Sequence, residues 1–167
     1  KRFAIGVAAA GIAVYLWNAS WLAPVPDEPQ VRLIAHRGVH HTFDRIGLES
    51  DTCTAERIFP PQHELFENTI PSMRAAFAAG ADIVELDVHP TTDGRFAVFH
   101  DWTVDCRTEG AGETRGHDMA YLRTLDIGHG YTADGGASFP LRGKGVGLMP
   151  SLDDVLAAMP QGRFLVN

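Results

Sequence analysis

The sequence has no excess of positive charge: 14 Lys and Arg stand against 21 Asp and Glu, a formal net charge of -7. A protein that grips a nucleic-acid backbone needs a concentrated basic patch, and none is visible, so nucleic acid is excluded as a partner. The glycine-rich run from Gly128 to Gly147 lacks the Gly-Lys-Ser/Thr pattern of a nucleotide-phosphate loop. There are no internal repeats. Cysteine is scarce as well. The two present, Cys53 and Cys106, suit either one disulfide in an oxidising compartment or two buried thiols. What is there is the balance of a folding chain, 45% hydrophobic and 21% charged.

The opening stretch is the most apolar. Lys1 and Arg2 precede an almost unbroken run from Phe3 to Trp17, which continues past Asn18 and Ser20 to Ala23. Phe3 to Ala23 is 21 residues, and about 20 helical residues span a bilayer core. Tyr15, Trp17 and Trp21 gather at the far end, where amphipathic aromatics favour the membrane interface. Residues 1–24 therefore read as a transmembrane anchor. A cleaved secretory signal shares the charged start and apolar middle, although Trp17 and Asn18 occupy the place of its small residues. A buried core helix is the third reading. The first two export the rest of the chain, with the basic pair on the cytoplasmic side and the domain on the periplasmic or extracellular face. Residues 25–30 form a stiff, proline-rich linker. The chain starts at Lys1 rather than Met and stops where a strand-like run has just begun, at Phe164–Asn167, so a piece of a longer protein is expected.

From Val31 onward, strand-like and helix-like segments alternate. Strands are expected over Val31–Ala35, Ala81–Val88, Arg95–His100 and Arg163–Val166. Asn68 or Thr69 caps a helix that includes Pro71 and stops at Gly80, Met119–Leu125 is a short helix, and Ser151 with Asp154 forms a capping box before Leu152–Met159. This alternation implies an α/β fold with a parallel sheet or barrel. Two long connections interrupt it, Val39–Leu65 and Gly128–Gly147, and such loops are usually lids or mobile segments.

Residues suited to chemistry stand at the strand ends. His36-Arg37-Gly38 follows the first strand, Glu85, Asp87 and His89 alternate along one face of the second, and His100-Asp101 closes the third. Two carboxylates at i and i+2 on a buried strand shift each other's pKa or need a cation between them, and a hard divalent ion with oxygen ligands suits them. Each feature also has a plain structural reading: hydrogen-bonded histidines, ion pairs of Glu85 and Asp87 with Arg37 and Arg95, and a hairpin turn at Thr92-Asp93-Gly94. Their coincidence at the ends of strands, where alternating folds place their sites, favours function.

The order and spacing of His36-Arg37-Gly38, Glu67-Asn68-Thr69, Gly80-Ala81-Asp82, Glu85-Leu86-Asp87-Val88, Thr92-Asp93-Gly94 and His100-Asp101 resemble the glycerophosphodiester phosphodiesterase family. Asp105-Cys106-Arg107-Thr108, Gly110, Gly112 and the run Met149–Leu156 extend the resemblance, which covers residues 31–167. It implies a (β/α)8 TIM-type barrel, of which this chain carries roughly the N-terminal half, since such a barrel typically takes about 250 residues. It also implies hydrolysis of glycerophosphodiesters to glycerol 3-phosphate and an alcohol. By similarity, His36 and His100 are the acid/base pair, Glu85 and Asp87 hold a divalent ion (Mg²⁺ or Ca²⁺), and Arg37, Glu67 and Asn68 contact substrate. Two features depart from the family. The stretch from Val39 to Phe66 is longer than the usual link and reads as an insertion, a lid or lipid-facing loop. The family's third metal carboxylate falls on the strand that here ends at Asn167, so either it lies beyond that residue or Asn167 takes its place. The alternatives to a water-soluble diester are a lysophospholipid or other membrane phosphodiester, cleaved in the manner of phospholipase D, and a barrel that binds phosphodiesters without turnover.

Overall fold

The computed structural model describes residues 2–22, 31–49 and 51–167, so the expected linker 25–30 and the end of the expected anchor at residues 23–24 lie outside the described residues. The chain divides into two units, Lys1–Val31 and Arg32–Asn167.

The first unit is helix α1, Arg2–Trp17, followed by a single 3₁₀ turn at Ser20–Leu22. Asn18 ends the helix. Its backbone and side-chain amides both donate to the Val14 carbonyl, at 3.2 and 2.8 Å, so the side chain takes the place of further helical bonds. The chain then folds back until Trp21 meets Tyr15 edge-on, with ring centroids 5.7 Å apart. The continuous helix expected from Phe3 to Ala23 is thus corrected to 16 residues, about 24 Å at 1.5 Å per residue. Among the described residues no helix is long and apolar enough to cross a membrane.

The second unit is built on a parallel sheet. Strands β1 (Ile34–His36), β2 (Ile83–Leu86) and β5 (Phe164–Val166) lie in the order β1-β2-β5, with His36 beside Glu85 and Glu85 beside Leu165. Parallel neighbours need crossovers, and helices supply them. Helix α2 (Ile70–Ala78) starts where the Thr69 hydroxyl accepts from the Ser72 amide and Pro71 occupies the first turn. Helix α4 (Leu152–Ala158) opens on a full capping box between Ser151 and Asp154. Met73 and Ala76 of α2, Val155 of α4 and Val84 and Leu86 of β2 bury one another in a shared core.

The expected second strand is shorter than its sequence suggests. At Asp87 the backbone amide donates to the Asn68 side chain at 3.2 Å instead of continuing the run. Val88 still donates its amide to the Asn167 carbonyl at 3.1 Å beside β5, while β3 (Val88–Pro90) pairs antiparallel with β4 (Phe96–Val98) around the turn Thr92-Asp93-Gly94. The expected third strand accordingly belongs to this hairpin and not to the parallel sheet.

The two long connections are packed rather than loose. Ala55 and Ile58 from the first, with Phe66 just after it, join Ile127, Tyr131 and Leu141 around the second in one buried cluster with Phe99, Val104 and Met149; the short helix α3 (Met119–Leu122) contributes Met119 and Leu122. Thr132 donates its amide to the Ala55 carbonyl at 3.0 Å, and Lys144 pairs with Glu64 at 2.6 Å. Cys53 and Cys106 form a disulfide. Gly130 is required here, because a Cβ at this position would lie 1.9 Å from the Cys106 carbonyl oxygen.

Candidate active site

The carboxyl ends of β1, β2 and β5 bring together His36, Glu85, Asp87 and Asn167. His36 ends β1, and the chain turns sharply after it, with Arg37 and Gly38 both in the left-handed region at φ 59° and 77°. Gly38 has no room for a side chain, since a Cβ would stand 2.7 Å from the Ser72 hydroxyl. The turn sends the Arg37 backbone amide to the Glu85 carbonyl at 2.9 Å and to the Glu85 carboxylate at 3.2 Å.

The Arg37 side chain lies between two acids. Its Nη1 donates to Glu67 Oε1 at 3.1 Å, and its Nε stands 3.0 Å from Asp87 Oδ2. That last contact lacks hydrogen-bond geometry, so Nε is buried without a hydrogen-bond partner among the described residues. Glu67 is shared, since Arg107 Nη2 approaches the same oxygen at 3.2 Å. Asn68 is buried, again at a left-handed φ of 59°, and both ends of its amide bind Asp87.

The two histidines differ in setting. The His36 side chain is 61% exposed and its Nε2 stands 3.9 Å from Glu85 Oε2. Partial burial and then the Arg37 charge push its pKa below the ordinary value. His100 is 34% exposed, and its Nδ1 lies 2.7 Å from Asp101 Oδ1. Burial alone would raise the Asp101 carboxyl, but the Arg107 charge and the bonds from His100 and Arg107 outweigh it and hold that carboxyl well below the usual range. His89, expected beside Glu85 and Asp87, instead turns its Nε2 to the His100 carbonyl at 3.1 Å.

His36, Arg37, Glu67 and His100 line one cleft of about 440 Å³, together with His40, Phe43, Arg45, Leu48 and Thr54 from the long connection after β1. Of the three expected substrate contacts, Arg37 and Glu67 thus face the cleft, whereas Asn68 is placed behind Asp87 as its holder. A larger hollow of about 650 Å³ lies around Arg74, Asp82 and Arg163, beside the amino ends of β2 and β5, and is lined by none of the expected site residues.

Glu85 and Asp87 are the carboxylates of this face that could hold a cation. Burial first, and then the Asp87 charge, raise the Glu85 pKa, as expected for two like charges held together. Asp87 accepts from Asn68 at Oδ2 and from Asn167 at Oδ1, 3.1 Å away. Each oxygen keeps a second lone pair. The pair fits a hard, oxygen-binding ion, although among the described residues no group of three or more His, Cys, Asp or Glu is poised to hold a metal.

Sequence reasoning notes Asp101 beside His100 without giving it a role and passes over Arg107, although both fall in runs that carry the family resemblance. Arg107 is 3% exposed, and a wholly buried arginine signals an ion network. The residues that surround it, Thr54, Glu67, Asp101 and Tyr131, are far apart in the chain.

Parallel strands joined through helices, with His36, Arg37 and the Glu85–Asp87 pair at their carboxyl ends, are the arrangement of an α/β barrel whose candidate site lies on that face. The model of the glycerophosphoryl diester phosphodiesterase family matches residues 36–167, and the chain belongs to that family. A glycerophosphodiester phosphodiesterase of Caldanaerobacter subterraneus subsp. tengcongensis is 37% identical over 101 residues, 60% of this chain and 38% of that protein. One from Bacillus subtilis is 37% identical over 93 residues, 54% of this chain and 30% of its own. Among solved structures, the glycerophosphodiester phosphodiesterase of Agrobacterium tumefaciens matches with a TM-score of 0.54 at 26% identity, over 82% of this chain and 46% of that one. This likeness supports the (β/α)8 barrel. A phosphodiesterase of Oleispira antarctica, in complex with the product sn-glycerol-3-phosphate, shares the fold with a TM-score of 0.55 at 22% identity, over 81% of this chain and 43% of its own. The chain spans less than half the length of each of these relatives.

Proposed function

We propose that the full-length protein hydrolyses glycerophosphodiesters to glycerol 3-phosphate and an alcohol. The observation that carries this reading is the cleft in which His36, Arg37 and His100 converge at the carboxyl ends of the parallel strands. Attack on the phosphorus places negative charge on the non-bridging oxygens. Arg37, oriented by Glu67 and Asp87, offers its planar fork of donors to one of them. One imidazole takes the proton of the attacking water as its bond to phosphorus forms; where the substrate's own glycerol hydroxyl attacks instead, water then opens the cyclic phosphate. The other protonates the alkoxide as the opposite P–O bond breaks. Histidine suits both roles because its ordinary pKa of about 6.5 lies near working pH. A divalent ion, Mg²⁺ or Ca²⁺, held by Glu85 and Asp87 would supply Lewis-acid stabilisation of the same developing charge.

His36→Gln and His100→Gln test the assignment. Each is expected to lower kcat by about 10²- to 10⁴-fold. Either variant keeping the wild-type kcat would remove that histidine from the mechanism. A lipid diester is the second reading, favoured by Phe43 and Leu48 on the cleft wall. Competition between glycerophosphocholine and lysophosphatidylcholine separates the two.

We place the domain outside the cytoplasm. The disulfide supports this, because such bonds persist in oxidising compartments. The apolar first segment is the proposed attachment to the membrane. Fractionation followed by an alkaline wash tests it, and release of the intact protein into the wash would count against attachment.

A further inference from the structure

We propose that Asp101 and Arg107 are positioning residues for His100, fixing the ring nitrogen that carries its proton and the direction in which the other points. The proposal rests on the diesterase reading only for the reaction that His100 serves.

The chain of contacts is continuous. His100 Nδ1 lies 2.7 Å from Asp101 Oδ1, and Arg107 Nε donates to Asp101 Oδ2 at 2.8 Å. An ionised carboxylate only accepts, so in the neutral ring Nδ1 is the nitrogen that carries hydrogen. The lone pair is then on Nε2, the nitrogen remaining for substrate. The same ring faces Asp101 however the proton moves, so the carboxylate also stabilises the imidazolium formed in turnover.

Arg107 is held from every side. Its Nη1 donates to the Tyr131 hydroxyl, and its Nη2 donates to Thr54 Oγ1 at 2.8 Å and approaches Glu67 Oε1 at 3.2 Å. Cys53 precedes Thr54 and Cys106 precedes Arg107, so the disulfide ties together the two stretches of backbone that carry this bond. The backbone at the dyad is fixed separately: His89 donates to the His100 carbonyl at 3.1 Å, and Thr114 donates its hydroxyl to the Asp101 carbonyl at 2.8 Å. A purely structural Arg107–Asp101 pair would need no imidazole on its outer oxygen. Among the described residues His36 has no comparable partner, since its nearest carboxylate oxygen is 3.9 Å away. The two proposed acid/base imidazoles are therefore not equivalent: His100 is held by a buried ion network, and His36 stands exposed, 3.9 Å from the Glu85 carboxylate.

The test uses full-length protein labelled with ¹⁵N-histidine. His100 signals are assigned by their loss in His100→Gln, and glycerol 3-phosphate release from glycerophosphocholine is measured in parallel. In wild type the neutral His100 ring is expected to carry its proton on Nδ1. Asp101→Asn is expected to shift hydrogen to Nε2 and to lower kcat by about 10²- to 10⁴-fold, as a carboxylate-to-amide exchange behind a catalytic imidazole does. KM should stay within about threefold, because substrate contacts remain. Arg107→Lys should fall between the two, since it keeps the charge and loses the fork. A wild-type His100 protonated on Nε2, or an Asp101→Asn enzyme with wild-type kcat, would overturn the proposal. The wild-type spectrum needs no variant to fold and no turnover, so an inactive wild type would sink the diesterase reading while the ring proton still decides the positioning.

Discussion

Asn68 and Asp87 hold each other through two hydrogen bonds. The Asn68 amide donates to Asp87 Oδ2 at 3.0 Å, and the Asp87 backbone amide donates to Asn68 Oδ1 at 3.2 Å. One side chain thus ends the run of β2 and orients a proposed cation ligand. Asn68 sits at a left-handed φ of 59°, a conformation asparagine tolerates better than most residues. Asn68→Ala should cost about 1 to 3 kcal/mol, measured by urea unfolding, because Asp87 and its amide are left buried with fewer partners. Calorimetric titration should show weaker Mg²⁺ binding in the same variant. Unchanged stability and unchanged ion binding would contradict this role.

The disulfide closes a long loop, its cysteines standing 53 positions apart in sequence. Chain-entropy arguments give such a crosslink about 4 kcal/mol of stability. The double variant Cys53→Ser/Cys106→Ser should therefore unfold at markedly lower denaturant concentration. Because the bridge also fastens Thr54 to Arg107, kcat should fall more than KM rises. A variant with wild-type kinetics and lowered stability alone would confine the bond to a structural role.

Asp126 organises the glycine-rich segment. It is buried, and its carboxylate accepts from the amides of Gly128 and Gly145 at 2.9 Å each, and of Gly143 at 2.5 Å. Asp126→Ala strands three amides at once and should cost about 2 to 4 kcal/mol. Hydrogen exchange should show lost protection concentrated between residues 126 and 148. Protection unchanged there would mean that the packing of Ile127, Tyr131 and Leu141 suffices without the carboxylate.

His41 should make stability depend on pH. It is buried against His63, Phe66 and Tyr131, and its Nε2 has no hydrogen-bond partner among the described residues. Burial first, and then His63, lower its pKa to about 4. An unfolded histidine titrates near 6.5, so between about pH 6.5 and 4 the unfolded chain binds more protons than the folded one. The stabilisation is complete above 6.5 and is lost as pH falls towards 4, by about 2 to 3 kcal/mol. His41→Phe removes the titrating group and should flatten urea-unfolding stability across this window. His36 shifts in the same direction and Glu85 in the opposite one, and both cancel in the difference. Parallel curves for the two proteins would contradict the assignment.

Much of the fold is legible in local sequence where local forces decide it. Helices α2 and α4 are readable because their starting signals are contiguous: Thr69 with Pro71, and Ser151 with Asp154. The strand that ends at His36 and the strand that carries Glu85 follow from short apolar runs that lead into ligand-type residues. The end of β2 at Asp87 is hidden because it depends on an amide 19 residues away, and β4 reads as a parallel strand until its partner is known. The end of α1 turns on a single side chain, Asn18, within an otherwise apolar run. Sequence leaves both pairing states of Cys53 and Cys106 open, since separation in space cannot be read from spacing. The Arg107 network is the clearest case of such hidden information, as it gathers residues from 54 to 131. Glu67 and Asp101 fall in readable motifs, but nothing in the sequence joins them to Thr54, Arg107 and Tyr131.

The most direct test is release of glycerol 3-phosphate from glycerophosphocholine by the full-length protein, with and without EDTA. The expected result is turnover that disappears with EDTA, returns with Mg²⁺ or Ca²⁺, and falls by about 10²-fold or more in His100→Gln. Folded, ion-supplied protein that releases no glycerol 3-phosphate would contradict the proposed activity. Turnover indifferent to EDTA would keep the diesterase and remove the ion from Glu85 and Asp87.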